Sequence, residues 1–154
     1  MSKTERVAAI LRLIDNPETT EWPPEYEGFF ICFNAGEYYE AHDVLEALWL
    51  RCTDTNRTFY KGLIQTAGAF VHLKKQYLRP DHPVDGARLP PAVRLFKTAI
   101  RNLTPYGDVH LGLDLASLLE ICREYIQRIE SCGFSMNPWT PERRPIARLD
   151  QGRL

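Results

Sequence analysis

Glu37-Tyr38-Tyr39-Glu40-Ala41-His42-Asp43-Val44-Leu45-Glu46-Ala47-Leu48-Trp49 decides how the chain is read. The stretch contains neither Gly nor Pro, and it follows Gly36, a residue suited to end a preceding helix in the left-handed region. At about 100° per residue, Tyr38, Ala41, Val44, Leu45, Leu48 and Trp49 share one broad face. Tyr39, Asp43, Glu46 and Leu50 fall on the opposite side, with His42 on the border. An aromatic ring and a leucine among carboxylates predict that this second side is covered as well. The stretch is therefore expected to form a helix over about 37–51, contacted on two sides near the middle of a bundle.

The flanking sequence repeats the helical period. Trp22-Pro23-Pro24 opens a helix with proline tolerated in its first turn, and Tyr26, Phe29, Phe30 and Phe33 hold i, i+3, i+4, i+7 spacing. Such an aromatic stripe is read as core rather than as a cofactor box. Residues 3–14 form an earlier amphipathic segment through Val7, Ile10, Leu11 and Ile14, with Ser2 and Glu5 placed for a capping box and Asp15-Asn16-Pro17 as its stop. Downstream, 57–78 is the longest helix, with Phe59, Tyr60, Leu63, Ile64, Ala67, Phe70 and Val71 on one face. Gly62 and Gly68 each cost it roughly 1 kcal/mol of helix propensity relative to Ala, so close approach of a neighbouring helix is expected there.

Pro80-Asp81-His82-Pro83 and Leu89-Pro90-Pro91 bracket a loop or short helical piece. A helix over about 91–103 turns Val93, Phe96, Ile100 and Leu103 inward and leaves Arg94, Lys97 and Arg101 as a solvated stripe. Asp114 is the expected N-cap of a last helix, which carries Leu115, Leu118, Leu119, Cys122, Ile126 and Ile129 and stops near Gly133. No internal repeat and no convincing strand pair is evident. The sum is an all-α, single-domain bundle of five or six helices: a helical domain over 1–133, with its core in 25–131, and a tail over 134–154 containing Pro138, Pro141, Pro145 and several arginines. That tail is either a strap packed through Phe134 and Trp139 or a loose arm.

Length and composition suit one domain. At 154 residues a core needs no disulfide or metal staple. The chain is 44% hydrophobic and 25% charged with a formal net charge of −1, a balance that argues against a dedicated nucleic-acid binder and against attraction to an anionic membrane. The N-terminus lacks the apolar core of a secretion signal, and no run of about 18 apolar residues offers a membrane span. Cys32, Cys52, Cys122 and Cys132 lie far apart without a Cys-x-x-Cys pair, so reduced thiols in a cytoplasmic protein are expected, and no zinc site is expected from them.

The chemistry-bearing residues concentrate in the opening stretch. His42 and Glu46 are i, i+4 neighbours able to converge on one point, and a second helix would have to complete any site. Gln65 and His72, seven apart on one face, are the best donors. Tyr39, Glu40, His42, Glu46, Gln65 and His72 are therefore the candidate binding residues of a polar cluster, and His42, Glu46 and His72 its candidate metal ligands. Alternatively, His42 and Glu46 form an acid/base pair. A structural network fixing helix register is the first reading, a ligand pocket the second, and a metal or catalytic site the third. There is no His-Glu-x-x-His, no Glu-x-x-His, no phosphate loop and no Gly-x-Ser-x-Gly elbow.

Phe33 to Trp49 resembles the hallmark of the bacterial and archaeal family called domain of unknown function 309, and Phe59-Tyr60-Lys61-Gly62-Leu63-Ile64-Gln65-Thr66-Ala67 resembles its second block. The two blocks cover about 29–77 in the expected order, with motif matches at Glu40, His42, Glu46, Trp49, Gly62 and Gln65. Asp43 stands where the resemblance implies the longer Glu, and Pro90-Pro91 implies a shortened following helix. The resemblance implies a compact all-helical fold and no particular activity, substrate or cofactor. The functional expectation is a small binding or interaction module for an unknown small molecule or protein, with no membrane partner, no cofactor demanded, and a homo-oligomer compatible with the sequence. The alternative is a metal-dependent, hydrolase-like enzyme using His42, Glu46 and His72.

Overall fold

A computed structural model describes residues 2–12, 14 and 22–150. Six helices carry the fold: α1 (Lys3–Leu11), α2 (Pro24–Asn34), α3 (Tyr38–Arg51), α4 (Arg57–Leu78), α5 (Leu89–Leu103) and α6 (Leu115–Ser131). Short 3-10 turns occupy Asp85–Ala87, Thr104–Tyr106 and Pro141–Arg143. The all-helical bundle expected from the periodicity is what forms. No helix among the described residues is long and apolar enough to cross a membrane.

Each helix begins and ends for a local reason. Ser2 Oγ accepts from the Glu5 amide at 3.1 Å and caps α1. The helix stops at Leu11, earlier than the expected 14, yet Ile14 remains buried and keeps its place in the core. The Asp15–Pro17 stop lies outside the described residues. Gly36 takes φ of 78°, and the Glu37 amide folds back onto the Cys32 carbonyl at 2.8 Å, so α2 turns sharply into α3. Pro90 and Pro91 do not shorten α5. They sit in its first turn, where their missing amides have no intrahelical partner to lose, and the helix begins at Leu89. Asp114 caps α6 by accepting from the Ser117 amide at 3.1 Å.

The core is a file of aromatic rings drawn from five helices. Phe70 of α4 is its hub, with ring centroids 5.5 Å from Phe33, 5.1 Å from Tyr38, 5.1 Å from Phe96 and 5.0 Å from Tyr125. Such pairs are each worth about 0.5–1.5 kcal/mol beyond the area they bury. The stripe of α2 is core as read, with Tyr26, Phe29, Phe30 and Phe33 all buried. The glycines of α4 mark where α5 comes close. A Cβ on Gly62 would fall 2.6 Å from Leu103 Cγ, and one on Gly68 would fall 3.3 Å from Leu95 Cδ1.

A small antiparallel hairpin, β1 (Val109–His110) with β2 (Leu113–Asp114), precedes α6 and was not expected. Its two-residue turn puts both Leu111 and Gly112 at positive φ, as a primed turn requires. The tail is a strap. Trp139 is 2% exposed, and its Nε1 donates to the Tyr38 hydroxyl at 3.0 Å. The Asn34 side chain then holds the Ala147 backbone at both ends, its Nδ2 donating to the carbonyl at 3.0 Å and its Oδ1 accepting from the amide at 2.8 Å. Leu149 bridges to Leu113 beside the hairpin. Of the two expected anchors only Trp139 serves, since Phe134 stays exposed.

Candidate functional site

The inner face of α3 places Tyr38, Ala41, Val44, Leu45 and Leu48 against α2 and α4, all of them buried. On the opposite side α1 packs against α3, while Tyr39 and Leu50 remain 50% and 64% exposed. Asp43 is the pivot, at 3% exposure. Its Oδ2 accepts from Arg6 Nη2 at 2.8 Å, while its Oδ1 stands 3.3 Å from His42 Nδ1. Lys3 pairs with Glu46 one turn along. The Arg6 guanidinium lies 5.5 Å from the centre of the Tyr39 ring, which stacks in turn on His42 at 6.5 Å. His42 therefore faces Asp43 rather than Glu46, because α1 brings a lysine to claim the longer carboxylate. The arrangement is a clamp of α1 onto α3.

Gln65 and His72 belong to a different surface. Gln65 Oε1 accepts from Asn102 Nδ2 of α5 at 2.7 Å. His72 Nδ1 lies 3.1 Å from Arg88 Nη1, and because a guanidinium only donates, that ring nitrogen is the acceptor. Burial first, and then Arg88, holds His72 below the usual histidine value of 6.5. Arg88 also donates through Nε to Asp85 Oδ1 at 2.8 Å, and Arg79 reaches Asp85 Oδ2 at 3.2 Å. These contacts close the 79–88 loop over the α4–α5 seam, and the bond from Arg88 holds the Asp85 carboxyl below the ordinary carboxylate range.

The six expected residues thus do not converge. His42 and Glu46 go to α1, while Gln65 and His72 go to α5 and its preceding loop. Among the described residues no three His, Cys, Asp or Glu side chains stand together as a metal-binding group. The i, i+4 spacing brought His42 and Glu46 to neighbouring positions, but each found a closer partner.

Glu40 has a third location, and Tyr39 reaches it from the edge of the clamp. They line a groove of about 160 Å³ between the first turn of α3 and the last turns of α4, with Glu37, Val71, Lys74, Lys75 and Leu78 completing its walls. Lys74 and Leu78 are shared with an adjoining groove of about 250 Å³ that reaches Tyr77, Trp139 and Arg144 on the strap. Lys74 Nζ donates to the Gly36 carbonyl at 2.9 Å and stands 3.5 Å from Glu37, so it fixes the α2–α3 turn. Tyr39 and Leu78 are 50% and 63% exposed. Sequence reading named Trp139 only as a strap anchor and missed Lys74, Lys75 and Leu78 as groove residues. The available signal was a lysine pair followed by Tyr77-Leu78 at a helix end, apolar residues where a solvated terminus would carry polar ones.

Residues 26–80, which run from α2 to just beyond α4, match the family model described as Domain of unknown function (DUF309). This segment belongs to the DUF309 family. No characterised protein and no solved structure matches the chain. Within the DUF309 segment, Trp49 carries two cations on its ring, with Arg57 at 4.1 Å and Lys61 at 4.3 Å from the centroid. These contacts tie the end of α3 to the start of α4. Gly62 of the same segment admits Leu103 of α5, so two positions that carried the family resemblance have evident packing roles in this chain.

Proposed function

We propose that the chain is a binding module whose ligand site is the paired groove between α3, α4 and the strap. One observation carries this reading: Tyr39 and Leu78 are large apolar side chains left half or more exposed on the two rims of one cleft, with Lys75 beside them. Large exposed apolar residues grouped around a concavity are the usual mark of a contact surface, whereas scattered ones are not. The DUF309 segment contributes both rims of the cleft. The cluster of His42 and Glu46 has the form of a helix clamp, which supports a structural role for it. The metal-dependent reading needs His42, Glu46 and His72 together, but they are engaged separately, by Asp43, Lys3 and Arg88.

The test is a fragment screen followed by amide chemical shifts of the full chain. Hits are expected to perturb residues 37–40 and 71–78 and to be lost in Leu78→Glu, an exposed substitution that leaves the melting temperature unchanged within about 2 °C. A screen whose hits map elsewhere, or survive Leu78→Glu, refutes the assignment.

A further inference from the structure

Two carboxylate oxygens on α2 are buried without a hydrogen-bond partner among the described residues, Glu25 Oε1 and Glu27 Oε2. Glu25 is compensated through its other oxygen, which receives Arg51 Nη1 at 2.6 Å. Glu27 has no ion pair among the described residues, although it is only 5% exposed. A buried carboxylate without a cation is costly, and folded proteins ordinarily pair such a group.

Glu27 also lines a groove of about 360 Å³ between α2 and the strap, which shares no residue with the α3–α4 groove. Phe30, Ile31, Ile146 and Leu149 give this groove an apolar wall, and Ile31 and Ile146 are 43% and 50% exposed. Asn34 lies in the same groove but has both ends of its amide occupied by Ala147. Among the described residues Arg148 is the one cationic side chain on the lining, and it makes no ion pair with Glu27. Its backbone is pinned by the bond from the Asp114 amide to its carbonyl at 2.9 Å, and its side chain is exposed. The groove thus offers a carboxylate side chain and an apolar wall, with no cation on that carboxylate among the described residues.

We infer that this groove binds a small organic cation, a primary ammonium or guanidinium carried on a short apolar body. Glu27 is the anchor for the charged end, and Ile31 and Ile146 take the body. A neutral or anionic molecule of the same shape leaves Glu27 uncompensated and is rejected, because the gain comes from pairing a buried charge rather than from area alone.

The full chain is titrated calorimetrically with hexylammonium, phenethylammonium and hexylguanidinium, against hexanol and hexanoate as controls with the same apolar body. Saturable binding of at least one cation and of neither control is expected, with amide shifts at Ile31 and Ile146. Glu27→Gln is expected to weaken the cation at least tenfold and to melt no lower than the parent chain. Arg148→Ala leaves cation affinity unchanged or raised, since it removes a competing charge. Ile146→Lys, at an exposed position, tethers an ammonium beside Glu27 and is expected to abolish binding of the free cation while keeping the fold. The proposal is overturned if none of the three cations binds saturably, or if binding is unaltered in both Glu27→Gln and Ile146→Lys. It is equally overturned if Glu27→Gln and Arg148→Ala each lower the melting temperature, which would assign Arg148 as the partner of Glu27.

Discussion

Replacing Gly62 by alanine sets two local effects against each other. In a helix interior the change favours the helix by about 1 kcal/mol, because Gly loses more backbone entropy on folding. The new methyl, however, would sit 2.6 Å from Leu103 Cγ and 2.7 Å from its Cδ2. Leu103 is fully buried, so its side chain has nowhere to swing, and the atom met first is a branch point rather than a flexible end. Overpacking of that kind costs about 1–3 kcal/mol. The net expectation is a loss of up to about 2 kcal/mol, or a melting temperature lower by up to about 8 °C in a chain of this size. Gly68→Ala is the internal control, because its methyl meets only the terminal Cδ1 of half-buried Leu95 at 3.3 Å. There the propensity gain survives, and the variant is expected to equal or exceed the parent by up to about 1 kcal/mol. Urea melts followed by circular dichroism measure both. A Gly62→Ala variant more stable than the parent by the full propensity gain of about 1 kcal/mol would refute the close approach of α4 and α5.

Two further outcomes follow from the site and the strap. His72 is held below 6.5 by burial and by Arg88, and His110 is lowered by burial, so the unfolded chain takes up their protons first as pH falls. Their contribution is complete above about pH 6.5 and is lost as the pH falls below it; urea melts between pH 7.5 and 5 should show this slope, reduced in His72→Gln. Trp139→Ala removes a ring that is 2% exposed and is expected to cost about 3–5 kcal/mol, with trypsin cutting faster after Arg143 and Arg148. Tyr38→Phe removes only the acceptor of the Trp139 bond and should cost about 1 kcal/mol. Equal cleavage rates in all three chains would show that the strap is not anchored through this ring.

What the sequence revealed was the local part of the structure. The face of α3, the bounds of α4 and the Asp114 cap follow from side-chain period and capping chemistry, both of which act over a few residues. The expectation that α3 is contacted on both sides held for Asp43, which α1 meets, but not for Tyr39 and Leu50, which stay 50% and 64% exposed. Which residue of that face would be the pivot was not legible. A helical wheel places His42 near Glu46, but it does not show that Lys3 and Arg6 arrive on another helix to claim Glu46 and Asp43. The hairpin escaped because two strands of two residues are too short to show a period of two. Gln65 and His72 were correctly placed on one face, but their partners Asn102 and Arg88 are set by tertiary packing.

Asn34 grips Ala147 across 113 residues, and Tyr38 receives Trp139 across 101. During synthesis the helical hairpins from α2 to α4 are therefore made long before the segment that covers them. Until residues 137–150 emerge, Tyr38 has no lid and the amide of Asn34 has no backbone to hold. The nascent chain consequently spends the making of α5 and α6 with an aromatic slot open to solvent, a period in which a holding chaperone or another nascent chain can occupy it. Shortening the interval between these segments, by circular permutation that joins the strap ahead of α2, would narrow that window while leaving the Asn34–Ala147 and Tyr38–Trp139 partners the same.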